Sequence, residues 1–215
     1  MRADEVNDAI SGALVGRLLL EHPFYRRWEA GELAPGELAA YAEQYRHVER
    51  ALPGVLRTIA GRLPAGPARD LVIANLADEE GTPEPHAELF ESFAGAVGAR
   101  ADVPSAAAAT ALVDLEVTAA GSDPVAALAM IAAYEVQAAA IADTKAAGLR
   151  AHYGVDADGT RFWDVHALME ADHAMWSIDA IALLAPDTDA FVPGATAAAT
   201  AWWDFLDERE ALAAA

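Results

Sequence analysis

The stretch from Val125 to Ala142 is almost wholly apolar, yet Glu135 stands in its middle with Gln137 close by. A helix that is apolar all round belongs at the centre of a bundle, since no face of it gains from water. The stretch is too alanine-rich and too interrupted to read as a membrane span. A glutamate carried into such a centre costs on the order of several kcal/mol unless it is paired, protonated or bound to a cation. The rest of the chain must therefore surround this helix and supply a partner for Glu135. A buried arginine would serve, and so would a metal ion.

Helical periodicity runs through the whole sequence, and no sustained apolar/polar alternation suggests a strand. Helices are predicted over Ala3 to Glu21, from Pro23 to Gly31, and from Pro35 to Leu63 with a kink near Pro53. Others are predicted over Ala68 to Glu80, Pro85 to Val97, Ser105 to Ala120, Pro124 to Tyr153, Thr160 to Leu184 and Gly194 to Ala211. The separators are short Gly, Pro and Asp clusters such as Pro64-Ala65-Gly66-Pro67, and none resembles an interdomain linker. With 215 residues, one all-α domain over residues 1–215 is the expectation.

A partner set for Glu135 is visible elsewhere. His166, Glu170 and His173 fall at i, i+4 and i+7, within roughly 60° of one another on a helix face. Two imidazoles and a carboxylate converging in this way suit a transition metal. In the cluster Asp78-Glu79-Glu80-Gly81-Thr82-Pro83-Glu84-Pro85-His86 the prolines interrupt a helix, so Glu79 closes one helix and His86 begins the next. A bend there can bring both side chains to one site, although acidic helix ends are more often solvated faces. Three carboxylates (Glu79, Glu135, Glu170) and three histidines (His86, His166, His173) are about what two ions sharing bridging carboxylates need. Oxygen and nitrogen donors favour iron or manganese. Ferritin-like bundles carry Glu-x-x-His on two helices; only Glu170-x-x-His173 is present here, which argues against a simple duplication of that kind.

Composition narrows the function. Against 14 basic residues stand 34 acidic ones, for a net charge of −20, which repels nucleic acid and anionic membranes. There is no cysteine, which excludes disulfides, iron–sulfur clusters and thiol catalysis. The N-terminal segment reads as an amphipathic helix with Arg17 interrupting its apolar run, not a secretory signal, so a cytoplasmic protein is expected. Lys145 is the sole lysine. Either arginine-biased coding left one behind, or the position needs an amine that guanidinium cannot supply.

These residues sit in a longer pattern. His22-Pro23-Phe24-Tyr25-x-x-Trp28-x-x-Gly31-x-Leu33, then Leu38-x-x-Tyr41-Ala42-x-Gln44-Tyr45-x-His47, resembles the opening of haem-oxygenase-like helical proteins, the group that includes thiaminase II and pyrroloquinoline-quinone synthase. The Glu79-x6-His86, Tyr134-Glu135-x-Gln137 and His166-x3-Glu170-x2-His173 elements resemble its di-metal oxidase branch. The likeness is greatest to the chlamydial death-domain-associating proteins and their bacterial relatives, which act in folate metabolism as para-aminobenzoate synthases. It covers about residues 10 to 185.

The resemblance implies an unusual chemistry. Such a protein makes para-aminobenzoate from one of its own tyrosines with nitrogen from one of its own lysines. Carried over by position, the consumed tyrosine is Tyr25, the second participating tyrosine Tyr41 and the amino donor Lys145. The metals are implied to be Fe/Fe or Mn/Fe, with dioxygen and an external reductant as co-substrates. The residues alone reach only part of this. Ten helical positions put Lys145 about 15 Å along the axis from Glu135 and roughly 80° around it, so helix distortion is expected if the ammonium is to reach the metals. By themselves Tyr25 and Tyr41 read as core aromatics. There are departures as well: Glu170 stands where the family usually has aspartate, Arg46 where it often has tyrosine, and Val48 where a second histidine follows His47.

The leading expectation is thus a self-sacrificing oxygenase. The alternative is a di-iron oxidase of the same superfamily turning over a small amino-acid or fatty-acid substrate. A host-interaction protein has no support in the sequence, and a metal-free thiamin-cleaving enzyme would need a cysteine nucleophile. The fold class often pairs through helices, which leads to an expected homodimer.

Overall fold

The computed structural model of the chain describes residues 1–81 and 85–213, so the turn expected at Pro83 lies outside the described residues. Among the described residues all regular structure is helical. The α-helices are α1 (Ala3–Ala13), α2 (Pro23–Ala30), α3 (Pro35–Arg62), α4 (Pro67–Glu79), α5 (His86–Ala96), α6 (Ala107–Ser122), α7 (Pro124–His152), α8 (Ala157–Leu184) and α9 (Val192–Ala213).

Local chemistry sets most of these boundaries. Asp123 caps α7 by accepting from the Val125 and Ala126 N–H groups at 3.1 Å, with Pro124 in the first turn. Asp156 caps α8 through the Gly159 N–H at 3.0 Å, which starts that helix a few residues before the expected Thr160. The His-Pro-Phe-Tyr motif opens α2. His22 accepts from the Phe24 N–H through Nδ1 at 3.1 Å, which leaves Nε2–H to donate to Asp207 at 3.1 Å. Gly31 ends α2 with φ of 72°, and a Cβ there would lie 2.5 Å from the His152 ring. α3 continues through Pro53 without ending.

The first helix is shorter than the periodicity predicts. It stops at Ala13, Gly16 turns the chain with φ of 78°, and Leu19–Glu21 form a separate 3₁₀ turn. The reason is tertiary. Val6, Ile10 and Leu14 pack into one apolar cluster, whereas Leu19 packs into another. A straight helix could not serve both. The Leu19 N–H, freed from helical bonding, donates to Gln137 Oε1 at 2.9 Å.

Those two clusters organise the molecule. α7 and α8 form the most extensive helix pair. One end of the pair, around Leu128 and Ile131 of α7 and Ile178 and Ile181 of α8, packs against α1, α4 and the start of α9. At the other end Ile141 and Leu149 of α7 and Phe162 and Trp163 of α8 pack with α2, α3, α5 and the end of α9. Each fully buried side chain of this size contributes roughly 1.5–3 kcal/mol. α7 is long and apolar enough to cross a membrane by composition, but 61% of its most apolar window is buried inside the protein. Glu135, Glu170 and His173 fall in sequence between the residues of the two clusters, so polar groups occupy the seam where the apolar cores part.

Candidate metal centre

Glu79 is the last residue of α4 and His86 the first of α5. His86 Nδ1 lies 3.0 Å from Glu79 Oε2. His166 joins them from α8: one candidate ligand atom from each of Glu79, His86 and His166 lies within 4.8 Å of the others. Glu170 and His173 follow on the same face of α8, both buried. His173 turns Nδ1 toward Glu79 Oε1 at 3.5 Å and Glu170 Oε2 at 3.9 Å. Glu135 enters from the middle of α7, where the Asn75 amide donates to its Oε1 at 2.7 Å. All six residues singled out by the sequence therefore meet at the seam. An amide, not the arginine that was the alternative partner, sits against Glu135.

The histidine tautomers are set for ligation. His166 Nδ1–H donates to the Phe162 carbonyl at 2.7 Å, leaving Nε2 with its lone pair. His173 Nε2–H donates to Asp78 at 2.7 Å, leaving the Nδ1 lone pair facing the carboxylates. A second group that orients the imagined ligand in this way is the usual surrounding of a metal-bound imidazole.

Electrostatics make the same point. Burial alone would push Glu79 up, but its hydrogen bond to His86 and the charges of His86, His166 and His173 hold it below the usual range. Burial raises Glu170 far above an ordinary carboxylate, helped by the charges of Glu135, Glu79 and Glu49. Burial likewise raises Glu135, and it pushes His166 down to about 4. Glu79 ends a helix, where the macrodipole is already negative. Five buried glutamates (Glu49, Glu79, Glu116, Glu135 and Glu170) line one cavity, and Glu135 Oε2 makes no hydrogen bond among the described residues. An orphaned buried carboxylate oxygen beside imidazole lone pairs is a donor set awaiting cations. The residues fit a metal site, with Glu79, His86 and His166 each offering a ligand atom within 4.8 Å of the others.

Tyr25, Tyr41 and Lys145 lie apart from this cluster but next to it. Lys145 Nζ donates to Tyr41 Oη at 2.6 Å, and the Tyr41 and Tyr25 hydroxyls are 2.8 Å apart. All three residues are buried. The expected helix distortion is not needed: α7 stays helical through Lys145, and the tyrosines of α2 and α3 come to the amine. Nζ also lies 4.0 Å from the Trp163 ring centre and 4.6 Å from that of Tyr25. Such rings favour an ammonium. Burial nevertheless dominates and holds Lys145 well below the usual lysine range, against the opposing pull of Glu170 and Glu49.

Two tyrosines bridge the compartments. Tyr45 stacks on Tyr41 with ring centres 5.5 Å apart, its hydroxyl lies 2.9 Å from that of Tyr134, and both Tyr45 and Tyr134 line the cavity. Sequence reasoning missed Tyr45 as a bridging residue, along with Glu49, Asp78, Asn75 and Glu116. Glu116 is a lone buried carboxyl on the cavity wall, pushed up to about 8 by burial. The signal for Tyr45 and Glu49 was present, since Tyr41, Tyr45 and Glu49 are spaced at i, i+4 and i+8. Flanking arginines Arg46 and Arg50 disguised it as a solvated face. Arg46 is in fact buried and paired with Glu91 at 2.9 Å. His47 bonds the Val103 carbonyl at 2.9 Å, away from the cavity-lining residues.

The helical shell and this donor set define an oxidoreductase of the haem-oxygenase-like type, and the chain belongs to the family described as iron-containing redox enzyme, which matches residues 39–203. Among its relatives is the 4-aminobenzoate synthase of Nitrosomonas europaea, 34% identical, with 96% of this chain and 92% of that protein covered. The fold is shared with a TenA homolog from Pseudomonas syringae pv. tomato, at a TM-score of 0.76 and 17% identity over 97% of this chain and 95% of that one. It is shared also with a heme oxygenase-like domain of unknown function from Shewanella denitrificans, at a TM-score of 0.73 and 15% identity over 96% and 89% of the two chains.

Proposed function

We propose that this chain makes 4-aminobenzoate from its own Tyr25, with Lys145 as nitrogen donor, in a reaction that needs dioxygen and an external reductant. The observation that carries the reading is the buried Lys145–Tyr41–Tyr25 hydrogen-bonded chain beside the carboxylate–histidine cavity. The relative from Nitrosomonas europaea, named for that activity, supports it. Glu79, His86, Glu135, His166, Glu170 and His173 would hold the metal pair, Fe/Fe or Mn/Fe. When bound, the metals supply the oxidising power drawn from dioxygen.

The remaining steps belong to the chain's own residues. The product has an amine para to a carboxylate, and the tyrosine ring has its oxygen para to Cβ. The Cα–Cβ bond of Tyr25 must therefore break, Cβ must become the carboxylate carbon, and nitrogen must replace the phenol oxygen. Lys145, held as a free amine by burial, has the lone pair that forms the ring C–N bond; the phenol oxygen leaves as water, and the Lys145 Cε–Nζ bond must then break, with Cε oxidised at the expense of dioxygen. Tyr41 lies in hydrogen-bond contact with both partners and can accept or pass a proton between them. Burial raises the Tyr25 and Tyr41 hydroxyls well above the usual phenol range, so each keeps its proton until it is oxidised. Tyr45 and Tyr134 form the aromatic route by which an electron can leave Tyr41 toward the cavity. Such a protein reacts once per chain.

The test is anaerobic reconstitution with Fe(II), with and without Mn(II), followed by oxygen and reductant. Released 4-aminobenzoate and intact protein mass are then measured. Wild-type chain should release the product and lose mass at Tyr25, while Tyr25→Phe and Lys145→Arg should release none. Product from Tyr25→Phe at the wild-type yield refutes the self-sacrifice. An unchanged chain mass with product formed would assign the chemistry to an external substrate.

A further inference from the structure

We infer that Glu49 is a seventh ligand of the metal pair, a fourth carboxylate beyond the six residues already named. The inference rests on the di-metal reading above and extends it to a residue on α3, a helix that contributes none of the six. Glu49 is only 6% exposed. It lines the same cavity as Glu79, Glu135, His166, Glu170 and His173. Among the described residues it makes no hydrogen bond; what acts on it is burial, repulsion from the like charge of Glu79 and a weaker attraction to Lys145. Glu43, on the same helix, shows what a purely structural glutamate does, being taken up by Arg100 at 2.9 Å, while Glu116, the other lone carboxyl on the cavity wall, feels burial alone and not the charge of Glu79. Glu49 has no such use. An ionised carboxylate held in an apolar shell next to three others raises the free energy of the fold unless it takes up a proton or something of opposite charge joins them. A cation placed among the four oxygen donors would let all of them ionise together.

Glu135 independently points to such a ligand: among the described residues its buried Oε2 makes no hydrogen bond, and only the neutral Asn75 amide and Ser177 hydroxyl attend its carboxylate. The position of Glu49 also explains why it was not evident beforehand. It continues the Tyr41–Tyr45 stripe by one further turn, so the face of α3 that bears the tyrosines ends at the metal cavity. An ion ligated there would be anchored to the helix that holds Tyr41, fixing the separation between the metals and the residue to be oxidised. With Glu49 the donor set becomes four carboxylates and three imidazoles, an oxygen-rich environment suited to iron or manganese.

The test uses the full-length chain, stripped of metal and titrated anaerobically with Fe(II) against a competing colorimetric chelator. Bound ⁵⁷Fe is then examined by Mössbauer spectroscopy. Wild-type protein should hold two irons. Glu49→Gln, which keeps the shape and removes the charge, should weaken the binding of at least one iron by about tenfold or more and alter its quadrupole doublet. Glu49→Asp should restore part of the affinity, a rescue that a space-filling role would not give. Circular dichroism of each variant checks folding, and should Glu49→Gln fail to fold, the Asp variant alone decides through its doublets. Two irons in Glu49→Gln with wild-type affinity and wild-type doublets overturn the inference while leaving the di-metal reading intact. A wild-type chain that holds no iron pair overturns both.

Discussion

Replacing Lys145 with methionine should change how stability depends on pH, by an amount that follows from where the amine sits. Lys145 is 1% exposed and is ringed by Tyr25, Trp28, Tyr41, Tyr45 and Trp163. Burial holds its folded pKa well below the ordinary lysine value, while the unfolded chain titrates near about 10.4. Between those two values the unfolded state carries a proton that the folded state does not. The unfolded state thus binds more protons there, and stability rises with pH. One proton of difference corresponds to about 1.4 kcal/mol per pH unit. Methionine has similar length and no proton to lose, so the variant lacks this slope, while every other titrating group is common to both proteins. Urea unfolding of the metal-free wild type and Lys145→Met at pH 8 and pH 9 measures it. Wild type should gain on the variant across that interval, by up to about 1.4 kcal/mol. A stability difference that stays constant with pH would mean that Lys145 is charged in the folded protein, and the free-amine argument for nitrogen transfer would fall with it.

Two further outcomes follow from the same structure. Asp78→Asn removes the carboxylate that accepts from His173 Nε2–H; iron affinity in a chelator competition should drop about 10–100-fold with the fold intact. Gly194→Ala would place a Cβ 2.6 Å from the Ala126 carbonyl oxygen of α7. Since backbone, not a flexible side chain, blocks it, unfolding midpoints should report a loss of about 1–3 kcal/mol.

Much of the candidate centre was legible in the sequence because its spacing is helical. His166, Glu170 and His173 must share a face of any helix that contains them, and an apolar helix cannot carry Glu135 without a partner. Covalent order was enough for those statements. Glu79 and His86 were harder, since they end one helix and begin the next, and spacing does not specify how α4 and α5 are placed relative to each other. The neighbours of Lys145 were out of reach of the sequence for a related reason. Measured along one helix it is far from Glu135, but the distances that matter run across helices to Tyr41 and Tyr25.

What the order of residues decided, then, is which side chains each helix turns to the same side, the helical class itself, and the absence of thiol chemistry. These follow from 3.6-residue periodicity and composition, which no packing arrangement can alter. Tertiary packing alone decided that the first helix breaks after Ala13, because Leu14 and Leu19 join different apolar clusters. It alone decided that Glu49 and Tyr45, flanked by arginines in the chain, turn inward to the cavity. Helix-to-helix contacts join residues up to 185 positions apart, such as His22 and Asp207, and local pattern holds no record of a separation like that.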